Sequence, residues 1–383
     1  MGDCLPHLFD AANATNVPSG NNITTAGNNI TTASNNITTA GNNITTAGNT
    51  VVLIDENVSR LHSKRLEPAL KFLPVLALTA TEENKSWSGV EKIVRFFMSN
   101  GCNRSTKAIV IGGGIVQDLS AFACHTFFRG IQWEFFPTTL LAMADSCIGA
   151  KSALNFEGTK NLVGVFENPR KVIIDTQFAS TLSDRDLCSG FGEILKSALI
   201  TGENSLTNLS HHWQLPPQKA NLEPLIRDAL TTKKRFVEED EFDFGNRRML
   251  NYGHTLGHAL ESVTNYAIPH GIAVVLGMDI ENFVAMKLGL MKPESFLSIH
   301  EMIKKYFPIA NELTKLTNVQ IDAILPYIMK DKKRTANGVH FAIVTKPGEW
   351  DIPLIPLDDR TKNAVTLYFT SEYSIIKKIC TAQ

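Results

Sequence analysis

Three histidines fall within one short segment, Asn246 to His270, which reads NRRMLNYGHTLGHALESVTNYAIPH and opens with an amide and two arginines. His254 and His258 stand four residues apart, so on a helix they share a face about one turn from each other. His270 lies between Pro269 and Gly271, the punctuation of a loop turning into a new helix. Neutral imidazole ligates zinc and charged imidazole pairs phosphate, so the cluster suits a metal site or a polyanion site. The plain alternative is a surface helix with scattered histidines, and the remaining elements must decide.

With 383 residues the chain is long enough for two domains with separate cores. Its 43% apolar and 20% charged residues are ordinary for a soluble globular protein. A net charge of −1 gives no global field for nucleic acid or a membrane surface, so any anion site must come from a local basic cluster. Cys4, Cys102, Cys124, Cys147, Cys188 and Cys380 are scattered without CxxC spacing and read as reduced thiols of a cytoplasmic protein. The first residues have neither a basic nor an apolar region of the kind a signal peptide needs, and no run approaches a membrane span.

Residues 21–48 are four copies of NNITTAG, with Ser34 replacing Gly in the second. Ile and Ala recur at heptad spacing, but Asn, Thr and Gly are poor helix formers and the apolar content is too low to drive a coiled coil. Residues 1–49 are therefore expected to be a disordered tail outside the folded unit.

From 50 to 182 the pattern is that of an open α/β sheet. VVLIDENV and PVLALTATEENKS are apolar runs that end in polar residues, as strands do when they deliver side chains at their carboxyl ends. AIVIGGGIVQDLSAFACHTFFRG reads as a buried strand, a glycine turn and a helix, which lets backbone N–H groups approach a pyrophosphate. A tight turn needing positive φ would use the same glycines. QWEFFPTTLL is a further strand ending in polar residues. ADSCIGAKSALNFEGTKNLVGVFENP reads as a loop in which Lys151 and Lys160, among small and apolar neighbours, suit an anionic ligand. KVIIDTQF leads to Ser183, a helix cap. From 183 to 383 the pattern turns helical. Glu193 and Lys196 sit three apart on one helical face, where a structural ion pair is the simple reading. Lys332, Lys333 and Arg334 form a basic cluster that a solvated charge run would also explain.

GGGIVQDLSAF, RG at Arg129, PTTLLAMADS, GAKSALN, GTKNLVGVF, GFGEILK, RRMLNYGHTLGHALE, PHGIAV and DKK follow in the order found in dehydroquinate synthases, members of the sugar phosphate cyclases. The chain resembles that family from about Val51 to the DKK cluster. It departs at GAKSALN, where the family often has GGKT, at Tyr252, and in its Asn-Arg-Arg approach. The resemblance implies a Rossmann-like N-terminal domain that holds NAD and an all-helical C-terminal domain that holds a divalent metal, usually zinc, with cobalt as the alternative. By position the ligands would be Glu193, His254 and His270, which replaces the simple pairing of His254 with His258. His258 would contact substrate phosphate with Lys151, Asn161, Lys333 and, from a neighbouring subunit of a homodimer, Arg129. Lys233 and Arg247 match the positions that hold a substrate carboxylate. Asp145, Lys196 and Asn251 would handle ring hydroxyls. NAD would lie on Asp55, Asn57, Glu82, Lys85, Gly114, Ile115, Val116, Gln117, Asp118, Thr138, Thr139, Lys160, Phe178 and Thr181.

The family's reaction oxidises a hydroxyl transiently, eliminates phosphate, restores the hydride and closes a carbocycle by aldol addition. Its substrate, 3-deoxy-arabino-heptulosonate 7-phosphate, has two anionic ends, and the basic residues supply two cationic poles. Other cyclases act on sugar phosphates without a carboxylate and tend to change the Arg247 and Asn251 positions. A metal-dependent glycerol or alcohol dehydrogenase shares the domain order but releases NADH. A non-catalytic scaffold would have no need for every polar position to be filled.

Overall fold

The computed structural model describes residues 23–25, 49–213, 218, 219, 221–307, 321–328, 334, 335 and 338–370. Lys333 lies outside the described residues. The chain divides into two compact units, Met1–Leu182 and Ser183–Gln383.

In the first unit the elements follow as β1 (Ile23–Thr25), β2 (Thr50–Asp55), α1 (Glu56–Leu61), α2 (Ser63–Leu70), β3 (Val75–Leu78), α3 (Trp87–Ser99), β4 (Lys107–Gly112) and α4 (Gly114–Thr126). β5 (Gln132–Pro137), β6 (Lys151–Phe156), β7 (Thr159–Phe166) and β8 (Lys171–Ile174) complete it. β1, β8, β5, β4, β2 and β3 form one sheet in that order, parallel throughout. The central strands are buried on both faces, which is why VVLI and AIVI are unbroken apolar runs rather than alternating ones. Taken in chain order, the five strands from β2 onward have the doubly wound order 2-1-3-4-5. The winding reverses between β2 and β4, and the crevice beyond their carboxyl ends is where such sheets bind nucleotides.

Two features differ from the sequence reading. Ile23–Thr25, in the first NNITTAG copy, pairs parallel with β8, placing Ile23 opposite Val172 and Thr25 opposite Ile174. β8 is a short, β-branched strand, and this backbone pairing covers its otherwise open edge. The stretch read as a lysine-bearing loop is instead a hairpin of β6 and β7. Its turn residues, Glu157 and Gly158, both have positive φ (46° and 74°), the backbone that lets two residues join twisted antiparallel strands.

The second unit contains α5 (Asp184–Thr201), α6 (Glu203–His212), α7 (Glu223–Glu239), α8 (His254–Val263), α9 (His270–Lys287), α10 (Pro293–Tyr306) and α11 (Ile321–Ile328). Short strands β9 (Arg334–Thr335), β10 (Gly338–His340), β11 (Ile343–Lys346), β12 (Glu349–Asp351) and β13 (Leu354–Ile355) precede α12 (Asp359–Thr370). Ser183 caps α5 in a capping box with Asp186. α9 is buried at every position from Gly271 to Ala285, so it is the axis of this unit and needs no polar face. The unit is helical with one addition to the all-helical expectation: a three-stranded sheet, β13-β10-β9, and a β11–β12 hairpin. Pro347 and Gly348 turn that hairpin, with Gly348 at φ 82°. Among the described residues no helix is long and apolar enough to cross a membrane.

Candidate functional site

Glu193 is carried by α5, His254 opens α8 and His270 opens α9. Each has a glycine beside it, and those glycines bring the helices into backbone contact. A Cβ on Gly192 would lie 2.2 Å from the Gly271 carbonyl oxygen, and one on Gly277 would lie 1.9 Å from that of Gly253. Only glycine allows such approach, and it lets three short side chains converge.

The Glu193 side chain is 1% exposed, and its two oxygens face different partners. Oε1 faces His270 Nε2 at 3.2 Å and His254 Nε2 at 3.5 Å, and Oε2 forms an ion pair with Lys196. Burial alone would raise the Glu193 pKa, but the Lys196 ammonium and His270 together hold it below the usual carboxylate range. The outer nitrogen of each histidine is engaged elsewhere: His254 Nδ1 lies 3.1 Å from the Tyr252 carbonyl oxygen, and His270 Nδ1 lies 3.0 Å from Glu261 Oε2. A ring whose Nδ1 donates keeps its Nε2 lone pair for a metal. Burial works against a charged His270, yet Glu261 and Glu193 outweigh it and push its pKa up to about 10. A buried carboxylate oxygen faced by two oriented imidazoles fits a divalent cation.

His258, one turn along α8, is exposed, and the metal-binding atoms of His254, His258 and His270 lie within 4.8 Å of one another. The second unit therefore offers two ligand sets, one with Glu193 and one made of three histidines. Lys196 is 2% exposed and donates to the Leu250 carbonyl at 2.8 Å, next to Asn251. Arg247 is 3% exposed and donates to the Glu241 carbonyl. Asp240 shapes its loop, accepting from the backbone N–H groups of Phe244 (2.9 Å), Gly245 (2.7 Å) and Arg247 (3.2 Å). Lys233, half-buried on α7, belongs to the helix that packs against the 3-10 turn Asn246–Asn251.

In the first unit α4 begins at the switch point with Gly113 as its N-cap and no side chain capping it, so its first-turn N–H groups are available to an anion. Gly112 and Gly113 are not in the positive-φ region, so a turn requiring that backbone is not their reason. They are steric: a Cβ on Gly112 would lie 2.6 Å from Val116 Cβ, and one on Gly113 would lie 2.9 Å from Thr139 Cγ2. The polar side chains expected around NAD mostly tie elements together. Asp55 Oδ1 caps α1 through Asn57 N (2.7 Å) and Val58 N (3.3 Å). Lys85 Nζ meets Asp118 at 2.6 Å, and burial holds Asp118 above the usual carboxylate range despite that partner. Glu82 accepts from Asn155 at 2.8 Å and pairs with Lys160 at 3.2 Å. Gln117 and Ser146 exchange two hydrogen bonds, and Thr139 Oγ1 caps the turn holding half-buried Asp145. Thr138 N donates to Gly112 O at 2.9 Å, locking β5 beside the glycine turn. Phe178 is buried under His62 and Arg65, while Thr181 accepts His62 at 2.9 Å.

The hairpin carries the two expected phosphate contacts at different levels. Lys151 is exposed opposite Phe166, and Asn161 sits at a bulge near the turn with φ 53°. Arg129 is exposed and follows Phe128 in consecutive left-handed residues, backbone that non-glycine residues seldom adopt.

Sequence reasoning missed Glu261, Glu281 and Asn282. Glu261 had a signal: His254, His258 and Glu261 fall at i, i+4 and i+7, one stripe of α8. The other two lay in the polar triplet Asp279, Glu281 and Asn282 inside an otherwise apolar helix.

Family models for the N-terminal and C-terminal parts of 3-dehydroquinate synthase match residues 75–189 and 190–334. A 3-dehydroquinate synthase from Streptococcus pneumoniae (strain JJA) is 34% identical over 318 residues, 81% of this chain and 88% of that protein. The crystal structure of a 2-deoxy-scyllo-inosose synthase complexed with carbaglucose-6-phosphate, NAD+ and Co2+ superposes with a TM-score of 0.73 at 25% identity, covering 82% of this chain and 89% of that one. A 2-epi-5-epi-valiolone synthase from Streptomyces hygroscopicus with NAD+ and Zn2+ bound has the same fold, with a TM-score of 0.75 at 21% identity over 93% of this chain and 98% of that one. On the double family match and the length of the curated likeness, the chain belongs to the 3-dehydroquinate synthase family.

Proposed function

We propose that this chain converts 3-deoxy-arabino-heptulosonate 7-phosphate to 3-dehydroquinate and phosphate. The observation that carries the reading is the buried Glu193 carboxylate, with one oxygen faced by two imidazoles, in a member of this family. Glu193, His254 and His270 would hold the metal, and the crevice at Asp55 and Gly113–Val116 would hold NAD. When bound, NAD supplies a hydride acceptor that returns its hydride, and the metal supplies a Lewis acid for the oxygen being oxidised.

The chain's own residues do the rest. Lys196, buried with its ammonium held by Glu193 and the Leu250 carbonyl, would donate to a ring oxygen beside the metal. By position in the family, Asn251 and Asp145 would orient substrate hydroxyls. Arg247 and Lys233 would hold the substrate carboxylate; the loop that Asp240 fixes leaves the guanidinium in one buried orientation. By position in the family, His258, Lys151, Asn161 and Lys333 would be the phosphate contacts. Arg129, exposed on a strained turn, would reach the active site of a partner subunit, so the working species would be a homodimer in the cytoplasm.

Phosphate release from the heptulosonate 7-phosphate, with NAD and zinc, tests the reading in wild type and Arg247→Ala. Expected are dehydroquinate formation without net NADH and its loss in the variant. No release by a protein that binds NAD and zinc would reject it and turn attention to sugar phosphates lacking a carboxylate.

A further inference from the structure

We propose that Glu281, in the middle of α9, is the positioning residue for His254. This rests on the metal reading above and adds a residue to it. α8 starts at His254 itself, and its N-cap, Gly253, has φ 76° and no side chain to cap the first turn. The cap comes from another helix. Gly253 N donates to Glu281 Oε2 at 3.0 Å and Leu256 N donates to Glu281 Oε1 at 3.1 Å, so one carboxylate clasps the backbone on both sides of His254.

Glu281 is 0% exposed, and burying an anion is costly unless charge-assisted bonds and a helix N-terminus offset it. Both are present, and both act on the turn that sets the direction of the His254 Cα–Cβ bond. The contact between Gly277 and the Gly253 carbonyl brings α9 close enough for a glutamate to reach.

The next residue fixes the other coordinate. Asn282 Nδ2 donates to the Tyr252 hydroxyl at 2.7 Å and to the Val344 carbonyl at 3.3 Å. Tyr252 is fully buried, and its own carbonyl oxygen is the one facing His254 Nδ1. Glu281 thus places the backbone of His254 while Asn282, through Tyr252, places the acceptor that sets its ring and tautomer. His270 has a carboxylate partner in direct contact, Glu261; His254 has its carboxylate one step removed, through the backbone.

The test is zinc affinity, measured by competition with a chromophoric chelator, in wild type, Glu281→Gln and the exposed control Glu294→Gln. Glu281→Gln sets an amide NH2 against one of the two backbone donors, and zinc affinity should fall tenfold or more, the usual cost of losing an outer partner of a ligand. The control should match wild type, and NAD affinity should not change in either. Glu281→Asp, which keeps the charge but shortens the reach, should give an intermediate loss and serves if Glu281→Gln does not fold. Zinc affinity within twofold of wild type in a folded Glu281 variant, even one with lowered thermal stability, would overturn the positioning role. Failure of both variants to fold would overturn it too, leaving Glu281 a core residue only. If wild type itself takes up no stoichiometric zinc, the functional reading fails instead.

Discussion

The two units prepare for their ligands in opposite ways. In the second, the side chains expected to meet the metal converge on one another and are held from behind: Glu193 by Lys196, His270 by Glu261, His254 by the Tyr252 carbonyl. In the first, the polar side chains expected to meet NAD are engaged in tying α4 to neighbouring turns, as Lys85 does with Asp118 and Gln117 with Ser146. For a dinucleotide that unit offers backbone, the uncapped first turn of α4 beyond Gly113. A compact ion demands donor atoms at fixed distances, whereas an extended dinucleotide can be read by main-chain N–H groups over a shaped surface. Side chains named by analogy can therefore act in one unit as ligands and in the other as the frame for a binding surface.

The contrast can be broken most sharply at Glu193. A structural zinc site contributes roughly 10–16 kcal/mol over its ligands, so Glu193→Ala should weaken zinc binding on the order of a thousandfold in a chelator competition. Retention of affinity would mean that His254, His258 and His270 suffice, and the convergence described for the second unit would have the wrong members. Next in size is Lys85→Met. It leaves the half-buried Asp118 carboxylate with only the Ala153 N–H as donor, which should cost about 2 kcal/mol of stability in the first unit. Denaturant unfolding should show the loss, with zinc affinity unchanged; a drop in zinc affinity would show that the two units are not independent in this respect.

A proton provides the third test. In the metal-free protein His270 keeps its proton to about pH 10, but a metal needs the lone pair that the proton occupies. Zinc affinity should therefore rise about tenfold per pH unit between 7 and 9, with one proton released per metal. The sign for stability is opposite. A pKa raised above the ordinary histidine value stabilises the metal-free fold fully below about pH 6.5, and that contribution is lost as pH rises towards 10. A pH-independent zinc affinity would exclude His270 from the ligand set. The smallest effect is expected at Gly113→Ala, where the new methyl meets the Thr139 side chain 2.9 Å away. The neighbour can shift, so overpacking should cost about 1 kcal/mol and reduce NAD affinity several-fold by titration calorimetry while zinc binding is unaffected.

How far the sequence carried this picture depends on the range of each interaction. Strands β2, β4 and β5 and the glycine turn were readable because apolar runs and local punctuation specify them. The β6–β7 hairpin is only weakly signalled, because Glu157-Gly158 lacks the Asn-Gly or Asp-Gly signature of a two-residue turn. Glu193, His254 and His270 lie far apart along the chain, and their convergence was expected from resemblance, not from spacing. Glu281 was beyond reach, because its acceptor role exists only once α9 lies against the start of α8. Strand pairing by Ile23–Thr25 was hidden for a different reason: three residues of a polar repeat acquire strand character from the edge they meet.

The glycines between α5, α8 and α9 carry a consequence for how mutational maps of this protein should be interpreted. A methyl at Gly271 would sit 1.7 Å from the Ser189 carbonyl oxygen, and one at Gly253 would sit 2.3 Å from that of Val274. Saturation scanning will mark both positions as intolerant as the histidines next to them, although neither has a functional group to contribute. Intolerance to every side chain, alanine included, is the mark of a spacing constraint, whereas a ligand position can admit another donor such as cysteine or aspartate. Comparing those two substitution profiles would separate the residues that bind from those that set how close the binders can come.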